Sequence, residues 1–203
     1  MWHIAFSEET VLPLIVDKEA VRREILLAFE RCMEKKPMPS VSLRDIAAEA
    51  GMSHVKLLHY FESREAITVA YVRYTREFMS ERCRAWFAAH PRAAFPSDLA
   101  YMNAFMAYVA SAPAGEMRPR ATTQTYVMGQ YSREIAQLIA AEFAEWRAVM
   151  EECLAQVYGE KLPAEAEAMM ILIAGTFICN YNGVLTGSIN ENILGSFAAL
   201  LRS

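Results

Sequence analysis

Between Ser42 and Tyr60 the chain places a group of polar side chains whose chemistry suits phosphate oxygens and base edges. Lys56 can donate to guanine or to a phosphate, and His54 can hydrogen-bond a base edge. Ser42 and Ser53 can cap helices and also turn backbone N–H groups towards phosphates, because a helix N-terminus is an anion site. Tyr60 reads two ways, as a core ring or as a contact to a nucleic-acid backbone. Other chemistries are poorly served. His54 and His59 are five residues apart, about 140° around a helix, which makes a poor metal pair. The chain holds no G-x-S-x-G, H-E-x-x-H, phosphate loop or paired-carboxylate site, so no enzyme, metal or cofactor is expected.

Two short helices and a tight turn must hold these side chains in place. Ser42 followed by Asp45 spells a capping box. Leu43, Ile46, Ala47 and Ala50 then share a helical face, and Gly51 ends the helix where a left-handed backbone is easiest. Ser53 caps a second helix with Leu57 and Tyr60–Phe61 on its apolar side. Ala47 allows a close crossing, and Met52 and Leu57 plug the angle. This is the layout of a helix-turn-helix, whose second helix enters the DNA major groove.

Composition bounds the remainder. The 203 residues are 54% hydrophobic, enough for a core and too many for global disorder. Cys32, Cys83, Cys153 and Cys179 are scattered, with no metal-ligand spacing, and read as buried free thiols in a reducing cytosol. The N-terminus lacks a basic region and is not read as a secretory signal. The longest apolar run, Ala168 to Cys179, is 12 residues, against about 20 for a membrane span. A soluble, cytoplasmic chain with no membrane partner is expected. The net charge is −4, but residues 17–79 carry 11 basic and 10 acidic side chains. Long-range steering should therefore be modest, and phosphate affinity must come from placed contacts.

The fold class expected is all-α. Residues 1–16 are an apolar arm without Lys or Arg, read as packing on its own subunit. Residues 17–65 form a three-helix head. Helix 1 runs from a cap at Asp17 to about Lys36, with Val21, Ile25, Ala28, Phe29, Cys32 and Met33 on one face. Ser63 caps helix 4, which connects head to body over about 63–90. Residues 66–203 form a helical bundle. A helix starts at Ser97–Asp98, the segment P-A-G-E-M-R-P-R is a loop, and a short helix covers Ala121 to Met128. A long helix runs from Ser132 to Gly159. The next begins at Pro163, and its centre, apolar all round, implies burial on every side. A last short helix is expected over about 191–201.

Residues 22–67 resemble the DNA-binding domain of the tetracycline-repressor (TetR) family. The likeness rests on R-R-E-I-L-L-A-F, S-L-R-D-I-A-A-E-A-G-M-S and L-L-H-Y-F-E-S-R-E-A-I, the last being the most specific. It implies a homodimer on a pseudo-palindromic double-stranded operator, a small-molecule effector bound in each body, and repression released by that ligand. It also implies that Arg44 reaches a base or phosphate and that Arg64 matches a phosphate-binding lysine. Leu58 departs from the family, standing where a tyrosine usually meets a phosphate. His59 or Lys56 can supply that contact instead. Val55 replaces a common glycine, and its methyl can meet a thymine methyl.

In the body, Tyr101, Phe105, Tyr108, Met128, Tyr131, Phe143, Trp146, Met150, Met169, Phe177, Asn180 and Tyr181 supply rings, flexible sulfur chains and a few polar anchors. Such side chains suit a mostly apolar effector pocket as well as a plain core. Ala174, Gly175, Gly183, Phe197 and Leu201 in the last two helices are the expected dimer surface. The leading function is a ligand-responsive transcription regulator. The alternative is an interaction or dimerisation protein with a weakened DNA-binding head.

Overall fold

The computed structural model describes residues 17–110, 118–130 and 132–181. The expected arm, Tyr131, Gly183, Phe197, Leu201 and the last helix lie outside the described residues, as do the side chains of Phe177, Asn180 and Tyr181. The described residues form eight α-helices and two short 3-10 turns, with no strand. The all-α expectation is met.

Local signals set most of the helix ends. Asp17 accepts from the N–H groups of Glu19 and Ala20 and opens α1, Lys18–Lys35. Pro37 follows, and a 3-10 turn over Met38–Ser40 leads to α2, Leu43–Glu49, and α3, His54–Leu58. Ser63 accepts from Ala66 N–H at 3.0 Å and starts α4, Arg64–Ala89, whose 26 residues span about 40 Å at 1.5 Å per residue. Then come α5 (Asp98–Ala110), α6 (Pro119–Met128), α7 (Arg133–Tyr158) and α8 (Pro163–Tyr181). Gly159, with φ of 78°, closes α7.

Two cores result. The head core gathers Ile25, Phe29, Met33, Ile46, Leu57 and Ile67, among others, from α1 to α4. The body core gathers Cys83, Trp86, Tyr101, Phe105, Trp146, Met150 and Met169 from α4, α5, α7 and α8. Helix α4 belongs to both, packing against α1 at one end and α5 and α7 further along.

The seam between the two is built by α6, and it departs from the expected loop and helix start. The helix begins at Pro119, where proline's fixed φ suits the first helical position, and Arg118 contributes no side-chain cap. Its cap comes from α1 instead: Glu34 accepts the N–H of Ala121 at 3.0 Å, and Glu30 accepts that of Arg118 at 3.2 Å. Gln124 donates to the Met33 carbonyl at 2.7 Å and accepts from Met38 N–H. Ala121 is buried in the head core. Met128, expected among the body aromatics around an effector, packs against that head core instead.

Glu30 is 2% exposed, and the same oxygen also accepts from the Tyr71 hydroxyl at 2.9 Å. Burial pushes its carboxyl above the ordinary value, against the pull of the Arg118 N–H and the Tyr71 hydroxyl. Folding therefore favours the protonated form. Its contribution to stability is present at low pH and is lost as pH rises from the ordinary value of 4.5 through the folded one. Glu30→Gln keeps the accepting oxygen and removes the charge. Urea unfolding should show equal or greater stability at neutral pH and a flatter dependence above about pH 4.5. Glu30→Ala strands the buried Tyr71 hydroxyl and the part-buried Arg118 N–H and should cost about 1–3 kcal/mol.

Helix α8 corrects a second expectation. It is not buried on every side: Ile171 is 66% and Ile178 38% exposed. The helix packs on α5, α6 and α7 through Ala166, Met169, Met170 and Ile173, and residues 171, 174, 175 and 178 face outwards along the opposite stripe. Of the four thiols, Cys32, Cys83 and Cys153 are buried, whereas Cys179 is only partly so. Burial pushes the Cys83 thiol up to about 12 and Cys153 up to about 11.

Candidate nucleic-acid interface

The turn between α2 and α3 is held by backbone geometry. Gly51 takes a φ of 64°, which a side chain would strain. Its N–H reaches the Ala48 carbonyl at 3.1 Å and that of Met52 reaches Ala47 at 2.9 Å, which together make a Schellman motif closing α2. Ser42 and Asp45 form the complete capping box. Asp45 also meets Lys36 at 2.6 Å, and that ammonium, followed by the Ser42 hydroxyl, holds its carboxyl well below the usual range. The N-terminus of α2 thus already carries an anion.

Helix α3 starts where the Ser53 hydroxyl accepts the Lys56 N–H at 3.1 Å. Leu57 is fully buried and anchors the helix to the head core. The opposite side is open. Val55 is 68% exposed, Leu58 40%, and Lys56 and His59 are exposed, with His54 half-buried at the helix start. Ser42, Arg44 and Ser53 are exposed or half-exposed nearby. The fold therefore brings Ser53, His54, Val55, Lys56 and His59 together around one short helix.

Two expected contacts have structural partners. Arg64 donates to the Pro39 carbonyl at 2.7 Å and lies 3.5 Å from Glu65, so part of its guanidinium fastens α4 to the preceding turn. Tyr60 is half-buried against the head core, and its carbonyl accepts from Arg22 at 2.6 Å. Arg22 also lies 4.1 Å over the Phe61 ring and so ties the end of α3 to α1. Arg31 performs the matching task for α2, bonding the Glu49 carboxylate at 2.9 Å and its carbonyl at 3.2 Å. The sequence alone assigns neither arginine this task, because their partners lie 38 and 18 residues away along the chain.

In the body, Tyr101, Phe105, Trp146, Met150 and Met169 are fully buried and packed together, with Tyr108 and Phe143 at the margin. Two arginines of α4 join them. Arg76, 7% exposed, lies 4.4 Å over Phe143 and 4.8 Å over Trp146. Arg82 lies 4.3 Å over Tyr108 and donates to its carbonyl at 2.8 Å. Three of the rings expected around an effector thus cover buried guanidinium groups, an attraction between cation and ring face that periodicity in α4 does not reveal.

No curated protein matches the chain. The family described as bacterial regulatory proteins, tetR family, matches residues 25–71. Solved structures match along nearly the whole length. GusR of Salmonella enterica is 17% identical, with a TM-score of 0.72 over 93% of this chain and 99% of that one. A TetR family member from Streptomyces coelicolor is 19% identical, with a TM-score of 0.61 over 87% and 97%. NalD, the secondary repressor of the MexAB-OprM multidrug efflux pump in Pseudomonas aeruginosa, is 20% identical, with a TM-score of 0.59 over 90% and 97%. Residues 25–71 thus carry the head sequence of the tetR family of bacterial regulatory proteins, on a fold that nearly the whole chain shares with these structures.

Proposed function

We propose that the chain is a repressor that binds a pseudo-palindromic operator as a homodimer and leaves it when a mostly apolar small molecule enters the body. The observation that carries this reading is α3: a short helix pinned inward by Leu57, with Val55, Lys56 and His59 turned outward and His54 half-buried at its start. Two such helices fit successive major grooves when about 34–36 Å apart. The exposed apolar face of α8, where Ala174 and Gly175 lie beside Ile171 and Ile178, supports the dimer. Arg44, Arg64, Ser42, Ser53 and Tyr60 complete the contact set, mostly towards phosphates.

For the effector, the support is a core rich in rings and in Met102, Met106, Met150, Met169 and Met170, side chains that repack at low cost. The ligand would favour one spacing of the two heads, acting through α4 and the α6 seam. Its effect on DNA affinity and the effect of DNA on its affinity are equal.

Gel-shift over a salt series with DNA from upstream of its own gene tests the reading. Sequence-specific binding that weakens steeply with salt is expected, about tenfold or more between low and physiological salt for several phosphate contacts. No shift even at low salt would leave the interaction protein with a weakened head. Thermal-shift with planar apolar ligands tests the effector class, and a response to anions alone would refute it.

A further inference from the structure

Helices α1 and α4 leave between them a groove of about 780 Å³ that the DNA reading does not use. Leu26 and Phe61 are buried beneath it, and Ala66, Val69, Ala70 and Tyr74 form a half-buried apolar stripe along α4. Arg22 and Arg23 stand at its α1 edge. Their guanidinium groups lie 4.1 Å over Phe61 and 6.0 Å from Tyr74, and neither pairs with a carboxylate among the described residues. Of the other charged residues lining the groove, Asp17 caps α1, Glu19 sits in the first turn of α1, Arg73 faces Glu142 of α7 at 3.6 Å, and Glu77 lies further along α4.

Asp17 and Ala20 are among the residues that line the groove, so α1 begins beside it. The residues leading into Asp17 complement what the groove offers. They are rich in large apolar side chains, such as Trp2, Ile4, Phe6, Leu12 and Leu14, and their charged side chains are Glu8 and Glu9. Attachment at Asp17 holds them at an effective concentration on the order of millimolar, well above that of a free partner. Reach is ample, since sixteen residues extend to about 50 Å and Ala66–Glu77 of α4 covers about 17 Å.

We propose that residues 1–16 dock in the α1–α4 groove of their own subunit, apolar side chains on the α4 stripe and Glu8 and Glu9 against Arg22 and Arg23. Docked there, the segment is a strap across the joint between head and connecting helix, and it resists tilting of α1 on α4. The inference stands apart from operator binding and from the effector.

The test uses the full chain with a photo-crosslinking residue at Val69, mixing isotope-labelled and unlabelled copies before irradiation and digestion. Cross-links from position 69 to peptides of residues 1–16 bearing the same label are expected. The Glu8→Lys, Glu9→Lys double variant should reduce their yield severalfold. A second probe at Arg73, exposed at the rim of the groove, gives the same readout if a change at Val69 disturbs packing. Mixed-label cross-links would place the segment on the other subunit and overturn the proposal. So would cross-links that miss residues 1–16, or a yield indifferent to the charge reversal.

Discussion

Lys56→Ala is expected to weaken binding to operator DNA by roughly ten- to a hundredfold, the range of about 1–3 kcal/mol for removing a base contact. The expectation comes from placement. The Lys56 backbone is fixed by Ser53, its neighbour Leu57 is fully buried, and its side chain projects from the exposed side of α3. Nothing in the head competes for the ammonium strongly enough to keep it from DNA, since no carboxylate pairs with it among the described residues. Fluorescence anisotropy on operator and unrelated DNA over a salt series separates its two roles. If Lys56 reads a base, the alanine variant relaxes sequence preference. If it holds a phosphate, the variant weakens all DNA alike and lowers the salt slope by about one. Unchanged affinity on both would remove Lys56 from the interface. Leu57→Ala is the contrasting control. It opens a cavity in the head core and should cost about 2–5 kcal/mol of stability, so any drop in binding there accompanies unfolding.

Ile171→Glu is expected to split the proposed homodimer while leaving the subunit folded. Ile171 is 66% exposed on α8, so a carboxylate there meets water in the isolated chain. In a two-fold interface each substitution occurs twice, and each unpaired buried charge costs several kcal/mol, which together should weaken the dimer about a thousandfold or more. Sedimentation should show monomers at micromolar concentration with an unchanged far-ultraviolet spectrum. Operator affinity should fall with the dimer, because one head then binds without its partner. A variant that sediments like the parent would move the interface away from this face.

Much of the head is legible in the sequence because its signals are local. Asp17, Ser42, Ser53 and Ser63 cap helices through groups two or three residues away, and Gly51 permits a backbone that other residues avoid. The outward set on α3 follows from the same periodicity that turns Leu57 inward. Arg64 is less legible. Its bond to the Pro39 carbonyl crosses 25 positions and depends on how the turn after α1 comes back to α4.

By itself, then, the sequence determined an all-helical chain, the helix-turn-helix, the long α4 and the identity of the outward residues on α3. Each of these is set by caps, turns and a 3.6-residue period acting over a few positions. Only the tertiary structure decided that α6 is capped by Glu30 and Glu34 of α1, 88 and 87 residues away along the chain. It alone decided that Arg76 and Arg82 are buried under aromatic rings, and that α8, though apolar all round, turns Ile171 and Ile178 to the outside. The physical reason is common to all three. A helix's own pattern says how much of its surface is apolar, but which part is covered, and which carboxylate meets which orphan N–H, depends on neighbours that only folding supplies.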